Sequence, residues 1–152
     1  MTKSNLIIAQ NKKAKFNYQI IEKIEAGIVL KGSEVKSIRR GKVAIENSYA
    51  VEKKGEFWIM NLYVDLKEHQ KNIDNVENLR PKKILLNKNE INKVNIKIKQ
   101  SGFTMVPIDL HYNKKGFIKV LLGISKGRKK SDLRDYKKQQ DWKREKARLE
   151  KK

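Results

Sequence analysis

The chain contains no cysteine. Disulfides, Cys-based zinc sites and thiol nucleophiles are therefore excluded. It has two histidines, His69 and His111, so imidazole chemistry has only two places to occur. No P-loop, no nucleophile elbow and no carboxylate cluster with metal-ligand spacing is present. Long apolar runs are missing as well. Residues 6–9 are too few for the apolar region of a signal peptide, and nothing approaches the ~18 apolar residues of a membrane span. The expectation is a soluble, cytoplasmic protein that binds rather than catalyses, with no metal and no cofactor.

Negative charge is also scarce. Against 37 basic residues there are 17 acidic ones, a net charge of +20 in 152 residues, and the isoelectric point lies near 10.1. Such a field attracts polyanions, nucleic acid above all. Only seven of the basic residues are Arg. An A/T-rich genome explains the preference for Lys over Arg, but not the two-to-one excess of basic over acidic residues. The charge is concentrated at the end: residues 126–152 carry thirteen basic and five acidic side chains, a net +8. They contain no run able to build a core. Their apolar residues Leu133, Tyr136, Trp142 and Leu149 form a thin stripe at best, among good helix formers. This predicts a folded domain over 1–126 and a basic tail over 127–152, disordered when free and helical on a partner.

Within the first part, β patterns dominate. Residues 16–31 read as a bent strand or two strands, with Ala26-Gly27 at the bend. Tyr49 to Lys53 and residues 57–64 read as a hairpin around Lys54-Gly55, with Trp58, Met60, Leu62 and Val64 on one face. Residues 65–83 are polar and aperiodic, a long loop. Asn87 to Glu90 forms a capping box for an amphipathic helix over 88–100, with Ile91, Val94 and Ile98 on one face. Alternation in Thr104, Val106, Ile108, Leu110 and Tyr112, and again in Ile118, Val120, Leu122 and Ile124, predicts a second hairpin across 113–116. About six strands and two or three short flanking helices predict a mainly β fold, a small closed antiparallel barrel whose closure removes its edges.

Between the first strands and the first hairpin lies Gly32-Ser33-Glu34-Val35-Lys36-Ser37-Ile38-Arg39-Arg40-Gly41. Ser33 is placed to cap a short helix and Gly41 to end it. Val35 and Ile38 then share one face, and Glu34, Lys36, Arg39 and Arg40 the other. With Lys42, the cations of this block form a surface suited to phosphates. Glu34 has two readings: a carboxylate facing RNA, where it accepts from base amino groups, or a first-turn charge stabilised by the helix dipole. Tyr49, Trp58 and Tyr63 are candidates for stacking on unpaired bases, or core residues at strand spacing. On the predicted outward face of its strand, His111 stands two residues from Asp109; the pair is either an acid–base couple or a surface contact.

These residues resemble a known family. Ile8-Ala9-Gln10-Asn11-Lys12-Lys13-Ala14, the block from Gly27 to Lys42 with Ser48-Tyr49, Lys82-Lys83-Ile84-Leu85-Leu86-Asn87, Thr104-Met105-Val106-Pro107-Ile108 and Gly127-Arg128-Lys129-Lys130 together look like the small protein B, or SsrA-binding protein, family of bacterial trans-translation. The resemblance implies an oligonucleotide-binding-type barrel and no enzymatic activity. It implies binding to the tRNA-like part of transfer-messenger RNA and delivery of that RNA, with elongation factor Tu and GTP, to stalled ribosomes. It places Asn11, Lys12, Glu34, Lys36, Arg39, Lys42, Tyr49 and Leu85 in or around the RNA-binding face. It sends the tail into the decoding centre and messenger channel, through Arg128, Lys129, Lys130, Asp132, Arg134, Trp142, Lys143, Arg144 and Leu149. Two tail positions depart from the family pattern: Leu133 stands where Lys is usual, and Glu150 follows Leu149 where a second apolar residue is usual. The protein is expected to act as a monomer. Without the resemblance, a basic ribosomal or ribosome-assembly protein is the next reading, and an RNA-cleaving or RNA-modifying enzyme using Asp109 and His111 the one after. A membrane-surface role is disfavoured by the weak apolar face of the tail.

Overall fold

The computed structural model describes residues 6–67, 75–99, 102–127 and 130–150, of which 75–76, 130–133, 135–136 and 150 are described by backbone alone. In chain order the elements are β1 (Ile7–Gln10), α1 (Lys12–Asn17), β2 (Tyr18–Ile28), α2 (Gly32–Arg39), β3 (Val43–Ala44), β4 (Tyr49–Lys53), β5 (Glu56–Met60), β6 (Tyr63–Val64), α3 (Asn75–Asn78), β7 (Lys82–Leu85), α4 (Lys88–Lys99), β8 (Phe103–Tyr112), β9 (Ile118–Gly127) and α5 (Lys130–Glu150). Seven strands form one sheet in the order β1-β8-β9-β2-β7-β5-β4, and β3 pairs with β6 in a separate ribbon. Every pairing is antiparallel.

The mainly β fold with flanking helices is as expected, but the closed barrel is not found. The sheet is open: its outer strands are β1 and β4, and no ladder among the described residues joins them. Helix α1 packs on β2 and β8 with Ala14 at 1% exposure. Its residues Lys13, Ala14 and Asn17 share a cleft of about 380 Å³ with Tyr49 of β4 and with Thr104, Met105 and Val106 of β8. Strand β4 approaches β8 across this cleft, and with the cleft between them the two form no ladder.

Two local breaks decide which residues reach the core. Asn61 has a φ of 57°, a left-handed conformation that Asn tolerates better than most residues. It separates β5 from β6 and resets the alternation. Phe57 and Ile59 are buried before it, and Leu62 and Val64 after it. The single 57–64 strand with Trp58, Met60, Leu62 and Val64 on one face is therefore replaced by two strands of opposite phase. The second break is a bulge in β8 between Pro107 and Asp109. An extra residue flips the side-chain phase, so Met105 before it and Leu110 after it both join the core cluster. With β1, α1 and α4 also packed on β8, Met105, Asp109 and His111 are buried rather than outward-facing. In β2 the irregularity lies between Ile20 and Glu22, not at Ala26-Gly27. Gly27 is instead where β2 acquires a second partner, pairing with Lys119 of β9 and Leu85 of β7.

Part of the expected 65–83 loop is structured. α3 and the start of β7 lie in it, and β7 bridges β2 to β5. The capping box before α4 is present: Glu90 N–H donates to Asn87 Oδ1 at 2.8 Å, and Asn87 N–H donates to Glu90 Oε1 at 3.1 Å.

Candidate nucleic-acid interface

Helix α2 begins two residues earlier than a Ser33 cap would place it, after an extended Lys31. Ser33 therefore lies inside the first turn and does not cap it. Glu34 does: its Oε1 accepts from the Lys31 backbone N–H at 2.7 Å. Gly41, at φ +76°, follows the helix end. Glu34 is 1% exposed, which corrects its placement on the outer face with Lys36, Arg39 and Arg40. Arg80 grips it from the far side of the chain, through Nη2 at 2.5 Å to Oε1 and Nε at 3.1 Å to Oε2. Lys82 Nζ stands 3.6 Å from Oε2. Lys82 itself is completely buried and donates to the carbonyls of Leu62 at 3.2 Å and Arg80 at 2.8 Å.

Burial alone would raise the Glu34 pKa. The Arg80 hydrogen bonds, the Lys31 N–H and the Lys82 charge outweigh it and hold the carboxyl below its usual range. Burial pushes Lys82 down to about 8, against the opposing pull of Glu34. Glu34 is thus neither an open acceptor for bases nor an ordinary helix-end charge. It is the centre of a buried ion triad. Its effect on the surface passes through Arg80, which also donates to the carbonyls of Pro81 and Val29. Arg80 and Lys82 were not legible as partners of Glu34, because they fall at the end of an aperiodic polar stretch.

The expected RNA-binding residues divide between two regions. Arg39 and Leu85 line one notch, with Glu34 buried in the same helix. Lys36 is exposed one helical turn before Arg39. Lys42 is half-buried just past Gly41, its carbonyl accepting from Asp65 N–H at 3.0 Å. Asn11 and Tyr49 instead line the cleft at the open edge. Asn11 is 5% exposed and acts as a clip, its backbone N–H donating to Ile108 at 2.7 Å and its Nδ2 to Pro107 at 2.9 Å. Tyr49 is open to solvent at 46%. Lys12 is exposed and shares a groove with Phe16 of α1 and with Lys137, Asp141 and Arg144 of α5.

In the tail, Arg128 and Lys129 lie outside the described residues, and Lys130 and Asp132 are placed in α5 by backbone only. Arg134, Trp142, Lys143, Arg144 and Leu149 are all exposed on that helix. Among the described residues no group of three or more His, Cys, Asp or Glu side chains is arranged to hold a metal, and no helix is long and apolar enough to cross a membrane.

His69 lies outside the described residues. The Asp109–His111 pair is real but closed. His111 is 6% exposed, with Nδ1 2.7 Å from Asp109 Oδ1 and Nε2 3.0 Å from Glu25 Oε2. Both ring nitrogens are taken, so neither is open to a substrate. The contact ties β8 to β2 across the intervening β9. Burial favours the neutral ring, but the Glu25 and Asp109 hydrogen bonds prevail and raise the pKa.

Two outcomes follow. Glu34→Ala leaves Lys82 and Arg80 without their counter-ion and destabilises the fold by about 3–5 kcal/mol, measured by urea denaturation. For His111, a raised folded pKa means that its stabilising contribution is complete below the unfolded value near 6.5 and is lost as pH rises through the folded value. Urea midpoints across pH 5–9 should therefore fall at the alkaline side by an increment that His111→Gln lacks.

A family model described as "SmpB protein" matches residues 8–152. The SsrA-binding protein of Rickettsia bellii (strain OSU 85-389) is 50% identical over 144 residues, covering 94% of this chain and 94% of its own length. The SsrA-binding protein of Gluconacetobacter diazotrophicus is 45% identical over 144 residues, covering 94% of this chain and 92% of its own. Among solved structures, a chain described under "tmRNA-SmpB: a journey to the center of the bacterial ribosome" superposes with a TM-score of 0.63 at 38% identity, over 83% of this chain and 91% of that one. With these matches running through the Glu34 helix, the open sheet and the basic helix α5, the chain belongs to the SmpB family.

Proposed function

We propose that this protein binds the tRNA-like domain of transfer-messenger RNA and delivers it to stalled ribosomes for trans-translation. The observation that carries the reading is the near full-length likeness to SsrA-binding proteins and to a chain from a solved structure described under tmRNA-SmpB and the bacterial ribosome. The site agrees with it. A buried Glu34–Arg80–Lys82 triad fixes the α2 helix, and above it Lys36, Arg39 and Leu85 face solvent. Cations here set affinity through phosphates, and Glu34 acts as a positioning residue that orients Arg80. Lys42 follows the same helix, while Asn11 and Tyr49 at the open-edge cleft and Lys12 in the groove between α1 and α5 form a second region that this RNA would meet.

The protein works as a binding module in the cytoplasm, as a monomer, while elongation factor Tu with GTP engages the same RNA. The arm 127–152 acts as a second unit. Its described side chains include none that is buried, and within the chain its helix packs chiefly on α1 among the described elements, a contact too small to anchor its 21 residues without an external surface. Ribosomal RNA at the decoding centre and messenger channel supplies that surface, met by Arg128, Lys129, Lys130, Asp132, Arg134, Trp142, Lys143, Arg144 and Leu149. Free in solution the arm is disordered.

A competition gel shift at about 150 mM salt, where non-specific phosphate binding is weakened, tests the reading. Labelled tRNA-like domain stays bound under excess ordinary tRNA if recognition is specific; loss of the band to ordinary tRNA leaves a generic rRNA-binding polycation. Deleting residues 131–152 keeps this affinity and abolishes peptide tagging in a reconstituted stalled-ribosome assay. Equal loss of both activities would place the affinity in the tail.

A further inference from the structure

Helix α1 is held at its start and along its inner face. Asn11 ties the start to the Pro107 and Ile108 carbonyls of β8, and Ala14 is buried. Lys12 and Phe16, one turn apart, then share the opposite side of the helix, with Phe16 38% exposed. That side meets α5 across a groove of about 310 Å³. From α5 the groove takes Lys137, Gln140, Asp141 and Arg144, which are spaced by three and four and so form one stripe. Among the described side chains of α5, Gln140 alone is partly covered.

Helix geometry and charge give this contact a direction and a condition. At about 3.6 residues per turn, Trp142 and Leu149 lie on the side of α5 away from the stripe. A helix seated by Gln140 therefore presents these two apolar side chains outward, and one rolled by about half a turn would hide them. Charge opposes the seat while the chain is free. Residues 126–152 carry +8 and the rest of the chain +12, so the two repel. Within the groove, Lys12, Lys137 and Arg144 are met by a single carboxylate, Asp141. A polyanion lying against these cations cancels the repulsion. We propose that α1 is the seat of the arm: Phe16 is a positioning residue that receives the Gln140 stripe of α5 once a polyanion is bound, and it thereby fixes the direction in which Trp142 and Leu149 point. The inference rests on the RNA-binding reading above and goes beyond it, because it couples the RNA-bound domain to the course of the arm through one contact.

The test uses the full chain, which has no cysteine of its own. Spin labels on Lys53→Cys, at the end of β4, and Lys146→Cys, on α5, both exposed positions, report the place of the arm by pulsed electron paramagnetic resonance. The chain is measured free and bound to the tRNA-like domain of transfer-messenger RNA at about 150 mM salt. The free chain should give a broad spread of distances and the complex one narrow distance. Phe16→Ala should lower the ratio of seated to unseated arm about 10-fold, the effect of losing part of a buried Phe side chain. RNA affinity should be unchanged in it and peptide tagging reduced, and Phe16→Leu should restore most of both the narrow distance and the tagging. Gln140→Glu and Gln140→Lys, which have similar helix propensity, should move the seated fraction in opposite directions, up for Glu and down for Lys. A merely structural role for Phe16 would not respond to charge at position 140. A spread as broad in the complex as in the free chain, or a narrow distance that Phe16→Ala leaves unchanged, overturns the seat and leaves the RNA reading standing. Loss of RNA affinity in Phe16→Ala also overturns it, because the groove then holds the RNA rather than the arm. Narrowing on ordinary tRNA as readily as on the tRNA-like domain, with equal affinity for the two, overturns the RNA reading and upholds the seat.

Discussion

A carboxylate carried out of water must be met by charge or hydrogen bonds, and in this protein Glu34 is met by Arg80, Lys82 and the Lys31 N–H. Much else depends on that contact. Lys82 opens β7, and β7 is the strand that joins the β4–β5 hairpin to the rest of the sheet. Lys31 and Glu34 open α2, and the buried face that carries Glu34 also places Ile38 in the core. One ion triad thus fixes the helix that carries surface cations and the strand that holds the two parts of the sheet together. Buried ionic groups cost more than apolar packing of the same volume. Their presence here suits a site where an arginine must be held in one orientation.

Much of this was legible in the sequence, and the limits have physical causes. The β8–β9 hairpin and helix α4 were readable because alternation and a capping box are local signals. The faces of β5 and β6 were not, because Asn61 looks like any polar residue until its left-handed φ is known. The bulge in β8 hid in the same way, so His111 read as a surface residue although two carboxylates enclose it. Barrel closure depends on whether the two outer strands pair, and no residue pattern records that a cleft between β4 and β8 separates them instead.

The candidate site was legible in part for a similar reason. Glu34, Arg39 and Leu85 sit in compact motifs, and the fold brings Arg39 and Leu85 to one notch with Glu34 in the same helix. Arg80 and Phe117 are held to them only by the fold: Arg80 lies 46 residues from Glu34 in sequence, and Phe117 is an isolated aromatic in a turn. Asn11 was found for its motif, yet it sits beneath the surface as a backbone clip. Two kinds of residue therefore share a motif: those that reach the surface and those that lie beneath it and hold the first kind still.

The notch at Leu85 and Phe117 draws its walls from three distant stretches of chain, around positions 27–39, 85 and 117–119. None of them contains the site alone. The positive charge, by contrast, is spread along the polymer and survives unfolding. A denatured copy would keep its attraction for polyanions but would have lost the shape of the notch. Any selectivity built from that shape belongs to the native state only, and a misfolded molecule would act as an indiscriminate polycation rather than as an inert one.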